Sequence, residues 1–459
     1  MDQNKKPLWL EISILATPLI LSMTGFMLMQ VIDALFLSWY STDAIGAIVP
    51  SGMASALIIS FFQGTAGYTS TFVAHYIGAK QGDRACSATW QGIYFALVSG
   101  MVVFLIGFAA DPLFRLVGHS DSVRLLENTF FSITCWGSFG IIIANALGGY
   151  FSGQGKTAIL MVVHISGFII NAILDYVLIF GKFGLPSMGI AGAAIATVTA
   201  QFSVALFLFI LFVNSRQFGI HPWKDSAFNA KLFRRLIKFG FPSGLRFGFE
   251  MLAWTVFIFI VGRNGLNELA ASNIAFRING FAFFPIIGLG QALAILIGQA
   301  QGRRDPDQTI RVTYTGLLMA ELWMVLAALS FLFFPHQIYS LFAGDINSNQ
   351  FEIITTIGAN LLKFVAVYSL LDACNIVVAS ALQAAGDTKW TMIFALIANF
   401  SFLVLLVLVD YFHLGIWVEW TIATLFVMVT ALAWVVRFRN GAWRSIKVIE
   451  HYNHQAIAA

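Results

Sequence analysis

Charge is what this sequence has least of. Of its 459 residues only 10% are Asp, Glu, Lys or Arg, against about 25% in soluble domains. Hydrophobic residues make up 59%, and 45 residues are Phe. With a mean hydropathy of +0.82, this excludes an ordinary soluble domain and leaves a polytopic membrane protein. Cysteine is nearly absent too. Cys86, Cys135 and Cys374 form an odd, scattered set with neither a disulfide framework nor a metal-ligand spacing. A phosphate-binding loop is also missing. Gly149-Tyr-Phe-Ser-Gly-Gln-Gly155-Lys156-Thr157 imitates one, but Tyr150 stands where Gly is needed and no strand precedes it. Without an ATPase domain, uphill work must come from an ion gradient. No nucleophile and base stand together, so no enzyme and no cofactor are expected, nor any nucleotide or nucleic-acid partner. The start, Met-Asp-Gln-Asn-Lys-Lys, leads into roughly thirty mostly apolar residues, longer than the ~7–15 of a cleavable signal core. The first helix is therefore expected to be retained.

What the chain does have is long apolar runs. Windows of about twenty apolar residues fall near 9–38, 47–77, 87–110, 128–151, 157–181, 189–213, 239–262, 269–298, 312–334, 354–383, 390–410 and 414–436. Twelve crossings with the N-terminus inside place 19 Lys and Arg on the inner side, Lys5, Lys6 and Arg216 among them. Only Arg115, Arg124, Lys182 and Arg263 fall outside. That bias predicts a multi-pass protein of the plasma (inner) membrane with both termini cytoplasmic. Arg246, Arg277 and Lys363 stay within segments.

The two halves repeat. Ile77-Gly78 with Gln81-Gly82 returns as Ile297-Gly298 with Gln301-Gly302, and Pro18 returns as Pro242. Phe114 to Gly118 echoes Tyr339 to Gly344. Six helices per copy is an even number, so the copies run parallel about an axis along the membrane normal. The expected fold is thus an all-α integral membrane protein of twelve transmembrane helices in two six-helix lobes. One lobe spans 1–213, the other 239–459, and a basic cytoplasmic linker, 214–238, joins them. Such lobes usually enclose a cavity that opens to alternate sides.

Asp33 stands alone in the first apolar segment. A charge at the centre of a spanning helix costs about 3 kcal/mol, so an anion there usually faces a polar cavity or takes up a proton. In the fifth segment, Asn171 and Asp175 are four apart and share a helix face. Asp33 and Asp175 each lie about six residues from an outer end, some 9 Å deep at ~1.5 Å per residue. Two carboxylates and an amide at one depth suit a proton pair or an oxygen cage that could hold Na⁺. The plainer alternative is that Asp175 bonds Lys182 or a backbone group. Glu250 and Asp372 form a second acidic pair nearer mid-membrane, although Arg246, one turn from Glu250, could simply pair with it. Glu321 and Lys363 read as charges snorkelling or paired near segment ends. Asn145 lies in a stripe of small residues, Gly140, Ala144, Gly148 and Ser152, which signals close helix packing; it could also face the first lobe's polar site. His75 and His164 read as histidines bonded within the bundle.

In this order along the chain, Pro18 with Val31-Ile-Asp33, the paired Ile-Gly and Gln-Gly motifs, Asn171-Ala-Ile-Leu-Asp175, Gly189-Ile-Ala-Gly-Ala-Ala-Ile-Ala-Thr197 and Gly386-Asp387-Thr388 resemble the multidrug and toxic compound extrusion (MATE) family. The resemblance implies an antiporter that exports amphipathic, often cationic compounds in exchange for H⁺ or Na⁺, acting as a monomer on drug-like molecules. It implies an ion site at Asp33, Asn171, Asp175 and Thr197, with a hinge at Pro18, and in another branch a role for Glu250 and Asp372. A lipid-linked oligosaccharide flippase of related architecture is the alternative, with Arg246 and Arg277 as the cations of its cavity.

Overall fold

A bilayer offers the backbone no hydrogen-bond partners, so a spanning segment must satisfy its own N–H and C=O groups. The computed structural model describes residues 7–115, 119–215, 222–342 and 348–450, and among these every regular element is helical. The first half holds α1 (Leu8–Tyr40), α2 (Thr42–Gly67), α3 (Thr69–Gly78), α4 (Gly82–Ile106), α5 (Ala110–Arg115), α6 (Asp121–Trp136), α7 (Ser138–Gly153), α8 (Thr157–Phe180) and α9 (Ile190–Val213). The second holds α10 (Ala230–Gly262), α11 (Leu266–Gly302), α12 (Pro306–Phe333), α13 (Pro335–Ser340), α14 (Ser348–Ala384), α15 (Thr388–Tyr411) and α16 (Ile416–Arg439). Lys5, Lys6 and Arg216 of the charge tally, linker residues 216–221, and the Gly118 and Gly344 ends of one repeat echo lie outside the described residues.

Eleven described helices or helix runs are long and apolar enough to cross a membrane, and twelve if α6 and α7 count as one bent span. The number matches the twelve apolar windows, but the fourth window is not one straight helix. α6 and α7 meet at 41°, and the joint is Gly137, where any side chain would overlap Val198 of α9. The second window is interrupted as well: α2 ends at Gly67 and α3 starts at Thr69, with the Tyr68 N–H bonding Thr65 O at 3.2 Å.

Packing divides the chain into two units. One comprises Leu21–Gly248, Gly298–Asp305 and Lys447–Ala459. Within it α7 runs against α3, α4 and α9. A Cβ on Gly149 would lie 2.7 Å from the Ser70 nitrogen, and one on Gly153 would lie 2.7 Å from the Ser70 oxygen. The closest seam therefore follows Gly149 and Gly153, one residue on from the Gly148 of the small-residue stripe, whose Cβ would meet only Leu160 at 3.6 Å. The segment after α9 is pinned to α4, because Trp90 Nε1 donates to Pro222 O at 2.8 Å and Gln91 brackets Ala227 O and Asn229 N at 3.2 Å each.

The other unit comprises Met1–Ile20, Phe249–Ile297 and Pro306–Ile446. Its core is aromatic. Phe257 is fully buried and touches Trp254, Phe276, Phe402 and Trp420 at centroid distances of 5.7, 5.9, 6.1 and 5.7 Å. Phe257→Ala should cost about 3–5 kcal/mol, read as a lower melting temperature of the purified protein; an unchanged melting curve would show that the ring cluster is not what holds this unit.

Candidate functional site

α1 and α8 pack through a repeat of seven. Phe26, Asp33 and Tyr40 are spaced by seven and share one face of α1, as Phe168 and Asp175 share one face of α8. Phe26 meets Phe168 at 6.5 Å between centroids, and toward the other end Phe36 and Tyr40 meet Phe180 at 5.9 and 6.5 Å. The two acids lie between these aromatic layers.

Asp33 is 9% exposed, while Asp175 and Asn171 are 0% exposed. All three are buried within the protein. The carboxyl groups of Asp33 and Asp175 face each other at hydrogen-bonding range, and Asn171 lies beside Asp175. Yet Asp33 Oδ1, both Asp175 oxygens and both polar atoms of Asn171 have no hydrogen-bond partner. For the two acids the chemistry explains this. Two ionised carboxylates are both acceptors, so no bond closes between them until one holds a proton. Leaving such groups unsatisfied away from water is costly, and a cation between them would remove that cost.

The remaining sequence candidates fall elsewhere. The Thr197 hydroxyl donates to Ala193 O at 3.0 Å on its own helix. Asn145 Nδ2 donates to Ile141 O at 2.8 Å, and its Oδ1 lies 3.9 Å from where a Cβ on Gly67 would sit. Asn145 therefore faces the α2–α3 break. Pro18 lies inside α1, which stays helical from Leu8 to Tyr40, and the packing of α1 changes unit at Ile20, two residues further on. Glu250 and Asp372 come within electrostatic reach of each other. Asp372 is buried and accepts from Asn375 Nδ2 at 3.3 Å, and Asn375 Oδ1 in turn accepts from Trp434 Nε1. Tyr368, one turn before Asp372, keeps a buried hydroxyl without a partner.

Glu321 is paired, as one of its two sequence readings allows, but not near a helix end. It is sixteenth of the 28 residues of α12, near mid-helix, and its Oε1 accepts from Cys374 Sγ at 3.3 Å. Two buried acids were missed altogether. Glu127 bonds His119 Nδ1 at 2.7 Å, and Glu419 accepts from Asn264 Nδ2 through both oxygens at 2.8 and 2.9 Å. Both lie near helix starts, where a carboxylate in sequence reads as a helix-end charge. Among the described residues no group of three or more His, Cys, Asp or Glu could hold a metal ion.

Comparison with known proteins bears on this arrangement. The MatE family model matches residues 18–177 and again 242–411. A probable multidrug resistance protein NorM of Neisseria meningitidis serogroup B is 25% identical over 92% of this chain and 92% of its own. One from Thermotoga maritima is 24% identical over 92% and 90%. The fold of an outward-facing multidrug resistance MATE family transporter of the MOP superfamily superposes with a TM-score of 0.86 at 20% identity, over 96% of this chain and 98% of that one. A MOP superfamily transporter from Pyrococcus furiosus, described as having a binding pocket of reverse polarity that suggests a different function, matches with a TM-score of 0.84 at 21% identity over the same shares. With the family model falling twice on one chain, over the two halves that the sequence repeats, the chain belongs to the MatE family, the multidrug and toxic compound extrusion transporters.

Proposed function

We propose that this protein is an ion-coupled antiporter that exports amphipathic, cationic compounds, with Asp33 and Asp175 as the coupling site. The observation that carries this reading is a buried acid pair in which Asp33 Oδ1 and both Asp175 oxygens find no partner in the protein. A proton taken from outside would close the bond between the two carboxyls. Na⁺ is the second choice, with Asn171 adding one carbonyl oxygen to theirs. Uptake cancels one of the site's two negative charges, α1 repacks on either side of Pro18, and the cavity releases its drug outward. Release of the ion to the cytoplasm then returns the cavity inward. Only the difference in ion affinity between the two states moves this equilibrium.

The halves 1–213 and 239–459 act as the two lobes, joined by the 214–238 linker, in a monomer of the inner membrane with both termini cytoplasmic. The lysine and arginine bias and the doubled family match support this arrangement. Glu250 and Asp372 form a second polar site on the substrate path. The flippase alternative is favoured by one observation, the exposed Arg277 within α11. Purified protein in vesicles decides between them. A pH gradient alone should drive ethidium export, and a sodium gradient alone should drive it more weakly. Ethidium flux under neither gradient, with movement of an oligosaccharide lipid instead, would replace this reading with the flippase.

A further inference from the structure

One groove in the protein lies apart from both acidic pairs. It lies between α14 and α16, is open along one side and has a volume of about 620 Å³. Its walls are two stripes at helical spacing, Asn360, Lys363 and Val367 on α14 and Trp417, Thr421 and Leu425 on α16. Polarity is graded along it. Asn360, Lys363 and Trp417 stand at the end near the start of α16, while Val367 and Leu425, both more than half exposed, continue it with hydrocarbon.

Height fits the grading. Lys363 lies 21 residues before the end of α14 at Ala384, about 31 Å along the axis at ~1.5 Å per residue. That is the thickness of a bilayer's hydrocarbon layer, about 30 Å, so Lys363 stands at the far boundary from Lys389. Trp417, in the first turn of α16, belongs at the same boundary. The Lys363 ammonium gives one of its three N–H groups to Asn360 Oδ1 at 2.8 Å, leaving two for the groove. Its charge repels the cationic compounds proposed above as cargo and attracts an anionic headgroup.

We propose that this groove seats one anionic phospholipid, its phosphate on Lys363 and its upper acyl chain along Val367 and Leu425. That it belongs to the outer leaflet rests on the proposed orientation; the lipid's binding does not. The test uses the full chain in phosphatidylcholine nanodiscs doped with phosphatidylglycerol, where neither sidedness nor a gradient enters. Wild-type protein should retain phosphatidylglycerol on extraction into detergent, counted by native mass spectrometry, and melt at a higher temperature with it. Lys363→Gln should retain about fivefold less, the worth of one lysine beside an anionic lipid surface, with an unchanged melting temperature in phosphatidylcholine alone. Leu425→Trp, which fills the lower groove and leaves the charge, should also lose the lipid. Diacylglycerol and inorganic phosphate should each fail to raise the melting temperature. Equal retention by Lys363→Gln would overturn the proposal, as would stabilisation by diacylglycerol or by phosphate alone, or displacement of the lipid by ethidium.

Discussion

Replacing Asp33 with Asn should stop gradient-driven export and leave the protein folded in the membrane. Asparagine keeps the shape of the side chain and removes its ability to exchange a proton. It also breaks no hydrogen bond at Asp33 Oδ1, which has no partner to lose. A carboxylate at such a depth is a burden of about 3 kcal/mol when ionised, so the variant should melt at the same temperature or higher. Ethidium efflux from vesicles should fall to the level without a gradient. Asp175→Asn should do the same. The double variant should be no worse than either single one, since two residues acting as a unit lose their function together. Asp33→Glu restores an acid with one extra methylene and should recover part of the flux. Cells carrying Asp33→Asn and keeping full drug resistance would remove the residue from the mechanism, and the same pair of measurements on Asp372→Asn would then locate coupling in the second unit.

The acid pair was legible because hydropathy makes a lone carboxylate conspicuous and because depth can be counted along a helix. Asp33 and Asp175 lie seven residues before Tyr40 and five before Phe180, the ends of their helices, close to the six expected for each. What a count along the axis does not give is the direction in which a side chain points. Thr197 and Asn145 have suitable residue types, yet the one bonds its own helix and the other turns to the α2–α3 break. The aromatic layers around the acids were invisible for a different reason: with 45 Phe in the chain, no spacing singles out Phe26 or Phe168. At the Gly137 bend the residue that leaves no room for a side chain is Val198 on α9, far along the chain. Tertiary contacts of that kind leave no local trace. The small-residue stripe pointed to the right helix, but its tightest contacts follow the neighbouring register at Gly149 and Gly153.

The repeated Ile-Gly motifs have a consequence that can be measured, because Gly78 should tolerate no side chain without changing the state of the protein. A Cβ on Gly78 would overlap the carbonyl of Gln299, and one on Gly302 would overlap the carbonyl of His75. Further along, a Cβ on Gly64 would sit 2.7 Å from the Gly244 Cα, and one on Gly298 would sit 2.7 Å from the Ala74 Cβ. Gln299 Nε2 adds a bond to Gly153 O at 3.0 Å. α2 and α3 thus meet α10 and α11 backbone to backbone, at residues that one repeat supplies to the other. No rotamer relieves an overlap with a carbonyl, so Gly78→Val must part the helices here. Overpacking costs about 1–3 kcal/mol, which shifts a two-state equilibrium roughly five- to a hundredfold. If the contact belongs to one of the two states of the proposed cycle, the variant should collect in the other. A cysteine introduced by Gln299→Cys should then react with a soluble maleimide about tenfold faster or more in the Gly78→Val background, with ethidium efflux reduced and the melting curve still cooperative. Gly78→Ala, the smallest addition, should fall between the two. Unchanged labelling together with normal efflux would mean that this seam stays shut throughout transport and takes no part in it.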